Sequence, residues 1–206
     1  MRRTKEDAAR TRAAIVDAAL CCFDRHGISG STMAHIAEEA KCTKGAVYHY
    51  FGDKRDILQE LRDQVSVPML DEADCEFLQE REMPALERVE RYLLGILEAV
   101  EGDERTRQAI TVMQFRCEYV DDLKQELQAA AKNQERLMRA FEAAYREAQR
   151  GGELAAGLSP QAAAIETMMF LSGLLRLTLI HAKGSVVSKN ARAAVRGHVA
   201  SKRKGV

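Results

Sequence analysis

Between Thr32 and Lys54 the chain carries side chains suited to gripping a phosphate backbone and touching bases: Thr32, Thr43, Lys44, Gly45, Tyr48, His49 and Lys54. Each threonine opens a run with helical spacing. Its hydroxyl can cap the helix, and the free N–H groups there can meet an anion. Lys44 and Lys54 offer positive charge to phosphate, and Gly45 lets a backbone come close. Tyr48 can bond a phosphate or pack on a thymine methyl. His49 is the next outward side chain. No arginine follows Thr43 before Phe51, so the two-pronged guanine contact is missing there. Specificity is expected to rest largely on shape and spacing.

These side chains need two short helices held at a fixed angle. Met33, Ile36, Ala37 and Ala40 fall at i, i+3, i+4 and i+7, the pattern of a one-sided helix. Ala40-Lys41-Cys42 leaves room only for a tight turn. Lys44 to Tyr50 is the second helix, with Val47 and Phe51 inward and Lys44, Tyr48 and His49 outward. Upstream, residues 6–26 read as a helix with Ile15, Ala19, Cys22 and Phe23 inside, stopped by Gly27 in a left-handed conformation. Together these make a helix-turn-helix bundle, whose second short helix enters the DNA major groove. Asp53 caps a fourth helix with Asp56 as its capping-box partner. That helix is expected to reach about residue 81, kinked at Pro68.

Gly45-Ala46-Val47-Tyr48-His49-Tyr50-Phe51, followed by Asp53-Lys54, resembles the recognition-helix signature of the TetR family of bacterial repressors. Arg12, Ile15, Ala18-Ala19, Phe23, Gly27, Thr32, Ile36-Ala37, Ala40 and Thr43 fall at that family's spacing. Phe115-Arg116-Cys117-Glu118-Tyr119 and Ser172-Gly173-Leu174 are similar to its AcrR/TtgR-like branch, which governs multidrug efflux pumps. Two positions depart from the pattern. Lys41 stands where the family commonly has a glycine with positive φ, a strain of roughly 1 kcal/mol, and Cys42 stands for the usual valine as the inward plug of the turn. The resemblance also implies that the basic lead-in, Arg2 to Arg10, lies along DNA.

Charge is unevenly placed although the formal net charge is +0. Residues 1–55 hold ten Lys/Arg against seven Asp/Glu, residues 56–182 hold 14 against 24, and residues 183–206 hold seven against none. An acidic middle between basic ends suits a protein that offers one region to phosphate. The closing Lys202-Arg203-Lys204 reads as a solvated tail. Five cysteines without a CxxC pair point to a reducing cytoplasm and to no metal or disulfide framework. No signal-peptide pattern opens the chain. The most apolar stretch, residues 161–182, contains Glu166, Arg176 and His181, which argues against a membrane span.

From Pro84 onward everything reads as helix. Leu86, Val89, Leu93, Ile96, Leu97 and Val100 form one stripe, and Ala109, Ile110, Met113 and Cys117 another, on a helix from Glu104 to Cys117. A long helix from Tyr119 to Arg150 carries Leu123, Leu127, Leu137, Phe141 and Tyr145 inward. Ser159-Pro160 opens the next one. The expected fold is all-α, about nine helices: an N-terminal helix-turn-helix DNA-binding domain over residues 1–54, then a larger effector-binding and dimerisation domain over residues 55–206. Residues 161–182 are apolar nearly all round, so both sides need cover. A second copy, pairing this helix and the last one into a four-helix interface, would supply it.

No phosphate loop, GxSxG or HExxH occurs, and the five histidines lack metal spacing. No enzyme, cofactor or metal is implied. The resemblance implies a lipophilic effector in an apolar pocket lined by Ile96, Ile110, Met113, Cys117, Phe141, Met168 and Leu171, with Gln114, Ser172 and Arg176 as polar marks. The expected function is a homodimeric repressor of a multidrug efflux operon, binding a pseudo-palindromic operator and released by lipophilic compounds. The alternative is a helical ligand- or partner-binding module without an operator.

Overall fold

The computed structural model describes residues 5–64, 78, 82–117 and 124–205. Among them are nine α-helices and no strand. They are α1 (Lys5–Gly30), α2 (Met33–Glu39), α3 (Lys44–Tyr50), α4 (Lys54–Gln64), α5 (Ala85–Gly102), α6 (Glu104–Thr111), α7 (Lys124–Arg150), α8 (Pro160–Ile180) and α9 (Val186–Ala200). Val112–Arg116 continues α6 as one π-helical turn. The expected continuation of α4 through Pro68 to about residue 81 lies outside the described residues. So do Arg2 and Arg3, Cys75, Glu118 and Tyr119, and the side chains of Leu123 and Leu127. The chain divides into two compact units, residues 1–65 with 105–127, and residues 66–104 with 128–206.

In the first unit, Ile15, Ala19, Cys22 and Phe23 of α1 are buried together with Met33, Ile36 and Ala37 of α2 and Val47 of α3. Gly27 does break α1, but not as a left-handed cap: its φ of 72° comes with ψ of 165°. That is extended backbone of inverted hand, open to glycine because it lacks a Cβ. The chain therefore turns sharply before Ile28, which is itself buried. Buried Ser31 closes the turn by donating Oγ to the Gly27 carbonyl at 2.7 Å. Segment 105–117 packs beside α1. Arg105 donates to Asp17 at 2.9 Å and to Gln64 at 2.6 Å, and Gln108 to Asp24 at 3.2 Å. The expected single helix from Glu104 to Cys117 widens at Val112. The wider turn rotates the inner stripe, so Val112 is buried, Met113 and Cys117 are half-buried and Gln114 is exposed.

In the second unit, Leu86, Val89, Leu93, Ile96, Leu97 and Val100 of α5 face inward as their spacing requires. Leu137, Phe141 and Tyr145 of α7 complete the core, and Phe141 meets Tyr92 edge-on at 5.5 Å. Arg88 of α5 is wholly buried. Its Nη2 lies 2.7 Å from Glu147 Oε2, while none of its three guanidinium nitrogens makes a well-directed hydrogen bond. A buried polar chain crosses three helices: Tyr145 Oη meets Thr167 Oγ1 at 2.7 Å, and Thr167 meets His198 Nε2 at 2.9 Å. The His198 ring stacks on Phe170 at 4.3 Å. By length and composition α8 could cross a membrane. Here Ala163, Ala164, Leu171, Leu174 and Leu175 pack inside the unit.

The basic tail is not solvated throughout. Lys202 is buried and its ammonium pairs with Glu166, which holds that carboxyl below its usual range. Backbone bonds from Ala155 N to Lys202 O (2.9 Å) and Lys204 N to Glu153 O (2.7 Å) dock the tail on the loop after α7. The loop at Gly151-Gly152 leaves backbone groups without helical partners, and the tail supplies them.

Burial, then the nearby Lys202, lowers the His198 pKa to about 4. An unfolded imidazole takes its proton near pH ~6.5. Between those values the unfolded chain binds the extra proton, so stability is expected to fall as pH drops from about 6.5 towards 4. Urea midpoints at pH 7 and pH 5 check this: the drop should be smaller in His198→Gln.

Candidate nucleic-acid interface and helical body

The reading helix α3 has seven residues, too few to be stable alone. Its N-terminus is capped by Thr43, whose Oγ1 accepts the Ala46 N–H at 3.1 Å. Thr32 does the same for α2 through the His35 N–H, also at 3.1 Å. Both threonines are exposed, so their helix ends face solvent. Lys41, in the turn between the helices, has a φ of 52°, the strained left-handed value expected where glycine is usual. Cys42 is half-buried rather than sealed in.

The outward face of α3 carries Lys44, Gly45, Tyr48 and His49, all exposed; Tyr48 is 50% accessible. The Lys44 ammonium lies 5.7 Å from the Tyr48 ring centroid, in cation–π range. Charge and phenol thus stand as a pair one turn apart. Tyr50 is half-buried and meets His49 edge-on at 5.1 Å, while Phe51 is buried in the core.

Lys54, expected on a phosphate, points back into the bundle. Its Nζ donates to the carbonyls of Ile28 at 2.7 Å, Ser31 at 2.8 Å and Ser29 at 3.4 Å. These are carbonyls of the short segment that follows the Gly27 break at the end of α1, and an ammonium with three donors fits them. Arg12, singled out in the sequence by its spacing but given no role there, is the counterpart of Lys54. Its guanidinium donates to Glu60 at 2.6 Å and to the Tyr50 carbonyl at 3.3 Å, and lies 4.5 Å from the Phe51 ring centroid. It thereby ties α1, the end of α3 and α4 together. The bond holds the Glu60 carboxyl below its usual range. At the start of α4, Asp53 Oδ1 accepts from Arg55 N and Asp56 N, and Asp56 reaches back to Gly52 N at 2.7 Å. The expected reciprocal cap is present, shifted by one residue on the return bond.

Comparison with known proteins agrees with this geometry. Residues 15–61 match the model of bacterial regulatory proteins of the tetR family, and residues 84–201 match the C-terminal region of MAATS-type transcriptional repressors. The chain belongs to the TetR family. It is 32% identical over 183 residues to the HTH-type transcriptional regulator TtgR of Pseudomonas putida, covering 87% of this chain and 85% of TtgR. Its fold is similar to the crystal structure of NalD, the secondary repressor of the MexAB-OprM multidrug efflux pump in Pseudomonas aeruginosa. The TM-score is 0.83 at 22% identity, over 98% of this chain and 100% of NalD. A SmeT–triclosan complex superposes with a TM-score of 0.77 at 23% identity, over 95% of this chain and 92% of SmeT.

In this TetR-family chain the ten residues expected around an effector divide into groups. Ile110, Met113, Gln114 and Cys117 belong to the first unit. Ile96, Phe141 and Leu171 are core residues of the second unit, with at most 1% of their surface exposed. Ser172 and Arg176 are exposed on the outer face of α8, and the Ser172 hydroxyl donates to its own helix at Met168 O, 2.8 Å away. Period alone could not tell the two faces of an all-apolar helix apart. Met168 and Ser172 do line an open groove of about 540 Å³ with Met169, facing Gln134, Glu135 and Met138 of α7. Those α7 residues were not anticipated.

The Lys54 geometry separates structure from contact. Lys54→Ala is expected to lower the unfolding free energy by about 1–2 kcal/mol, whereas Tyr48→Ala should stay within about 0.5 kcal/mol of the parent. Urea denaturation of both variants checks this.

Proposed function

We propose that the chain is a cytoplasmic, ligand-responsive transcriptional repressor that binds a pseudo-palindromic operator as a homodimer. It controls a multidrug efflux operon and is released by lipophilic compounds. The observation that carries this reading is the exposed α3 face, Lys44, Tyr48 and His49, on a helix braced from behind by Arg12, Val47 and Phe51. A rigid helix with its polar face free is what the major groove admits. Likeness to TtgR, NalD and SmeT supports the efflux assignment, and triclosan on SmeT supports a lipophilic effector.

The dimer reading rests on α8 and α9. Ile165, Met169, Leu177 and Ile180 recur on one side of α8 and are exposed, Met169 to 70%. Gly173 lies among them, and a Cβ built there meets nothing within 4 Å. On α9, exposed Ala193, Ala194 and Gly197 present a flat surface of small residues. An apolar stripe beside a small-residue face suits close packing of helix pairs from two copies.

Fluorescence anisotropy with DNA from upstream of the gene, against scrambled DNA at two salt concentrations, tests operator binding. Selective binding is expected. Tyr48→Ala should lose it, and Lys44→Ala should reduce the salt slope by about 1. Equal affinity for both DNAs would favour a helical module without an operator. Sedimentation of Leu177→Arg should show monomers; an intact dimer would place the interface elsewhere.

A further inference from the structure

We propose that Lys41 is a phosphate contact held in a strained backbone, adding affinity for any DNA and none of the sequence preference. This rests on the operator-binding reading above. The turn after α2 is closed by two backbone bonds, Lys41 N to Glu38 O at 3.0 Å and Cys42 N to Ala37 O at 2.9 Å. This pair of bonds past the C-cap Ala40 is a Schellman motif, which puts the next residue in the left-handed region. Lys41 is that residue, with a φ of 52°, and among the described residues it is the one non-glycine with positive φ. Glycine takes this conformation freely, whereas a Cβ crowds the following carbonyl oxygen. Folding alone therefore favours glycine at position 41.

What lysine adds is a cation that the fold leaves unused. Its side chain is exposed, and among the described residues its ammonium makes no hydrogen bond or ion pair. Lys54 is the contrast, with its ammonium engaged by three carbonyls. Glu38 and Glu39 share a surface recess with Lys41, yet Glu39 is held by Arg25 at 2.7 Å and Glu38 forms no ion pair with it. Three residues on is Lys44, which opens α3 and is also exposed. Two lysines thus bracket the start of the helix that enters the groove. With no arginine on α3, affinity falls more heavily on the phosphates. A compact charge on a flexible stem suits a phosphate and reads no base. Strain kept in a sparsely populated backbone region marks a residue retained for what its side chain does.

The test compares full-length Lys41→Gly, Lys41→Asn and Lys41→Arg with the parent, by urea denaturation and by anisotropy on upstream and scrambled DNA across a salt series. Lys41→Gly removes strain and charge together. It is expected to unfold at a urea concentration no lower than the parent. It should nevertheless bind both DNAs roughly fivefold to tenfold more weakly at ~0.1 M salt, with the salt slope reduced by about 1. The ratio of the two affinities should not change, whereas Tyr48→Ala should reduce it. Lys41→Asn, which tolerates the left-handed region, should lose affinity in the same way, and Lys41→Arg should restore it. Unchanged affinity and slope in Lys41→Gly overturn the contact. So does a lower urea midpoint in both Lys41→Gly and Lys41→Asn, which makes Lys41 part of the frame as Lys54 is. A parent that binds both DNAs equally overturns the operator reading alone, because the Lys41 contact is still read from the non-specific slope; a parent that binds neither DNA overturns both.

Discussion

A seven-residue helix does not hold itself in water, and the recognition signature of this chain lies on one such helix. Arg12 supplies much of the constraint. Its guanidinium bonds the last carbonyl of α3 and the Glu60 carboxylate of α4, and packs on the Phe51 ring. Thr43 satisfies the other end of α3. With Val47 and Phe51 buried behind it, α3 has no freedom to rotate its polar face away. Lys54 works in the same sense, gathering carbonyls of the segment from Ile28 to Ser31 that follows the Gly27 break. Lys54, expected on a phosphate, is thus part of the frame together with Arg12, and the side chains left exposed on α3 are Lys44, Tyr48 and His49.

The second unit is built on a different balance. Its core is ordinary apolar packing, yet three polar devices cross it: Arg88 with Glu147, the Tyr145–Thr167–His198 chain, and Lys202 with Glu166. Burial raises the Tyr145 pKa to about 12 and keeps His198 neutral at ordinary pH. A neutral relay avoids the cost of a buried charge while still setting one register for α7, α8 and α9. Arg88 is the exception, a fully buried cation beside a half-exposed carboxylate. Removing the partner of such a charge is far more costly than replacing the pair. These devices fix the inner faces of α8 and α9.

The residues expected around an effector fall in different parts of the chain. Of the residues anticipated as pocket walls, Ile96, Phe141 and Leu171 are buried in the second unit. The α7–α8 groove, with Met169 at its edge, lies beside the exposed apolar residues of α8.

Much was legible in the chain itself. Helical periodicity gave the all-α class, Thr32, Thr43 and Ser159 announced three helix starts, and Lys41 announced a strained turn, because caps, stripes and positive φ are local matters of bond geometry and burial period. The recognition signature around Tyr48 identified the family for the same reason: one short stretch must meet DNA. Tertiary structure alone decided what long side chains and all-apolar faces do. Whether Lys54 reaches phosphate or three carbonyls, and whether Lys202 is solvated or paired, depends on groups 23 to 36 residues away. The π-helical turn at Val112–Arg116 rotated a stripe that simple period placed otherwise. In α8, where nearly every position is apolar, spacing carries no sign, and only packing against α5 and α9 shows which side faces in.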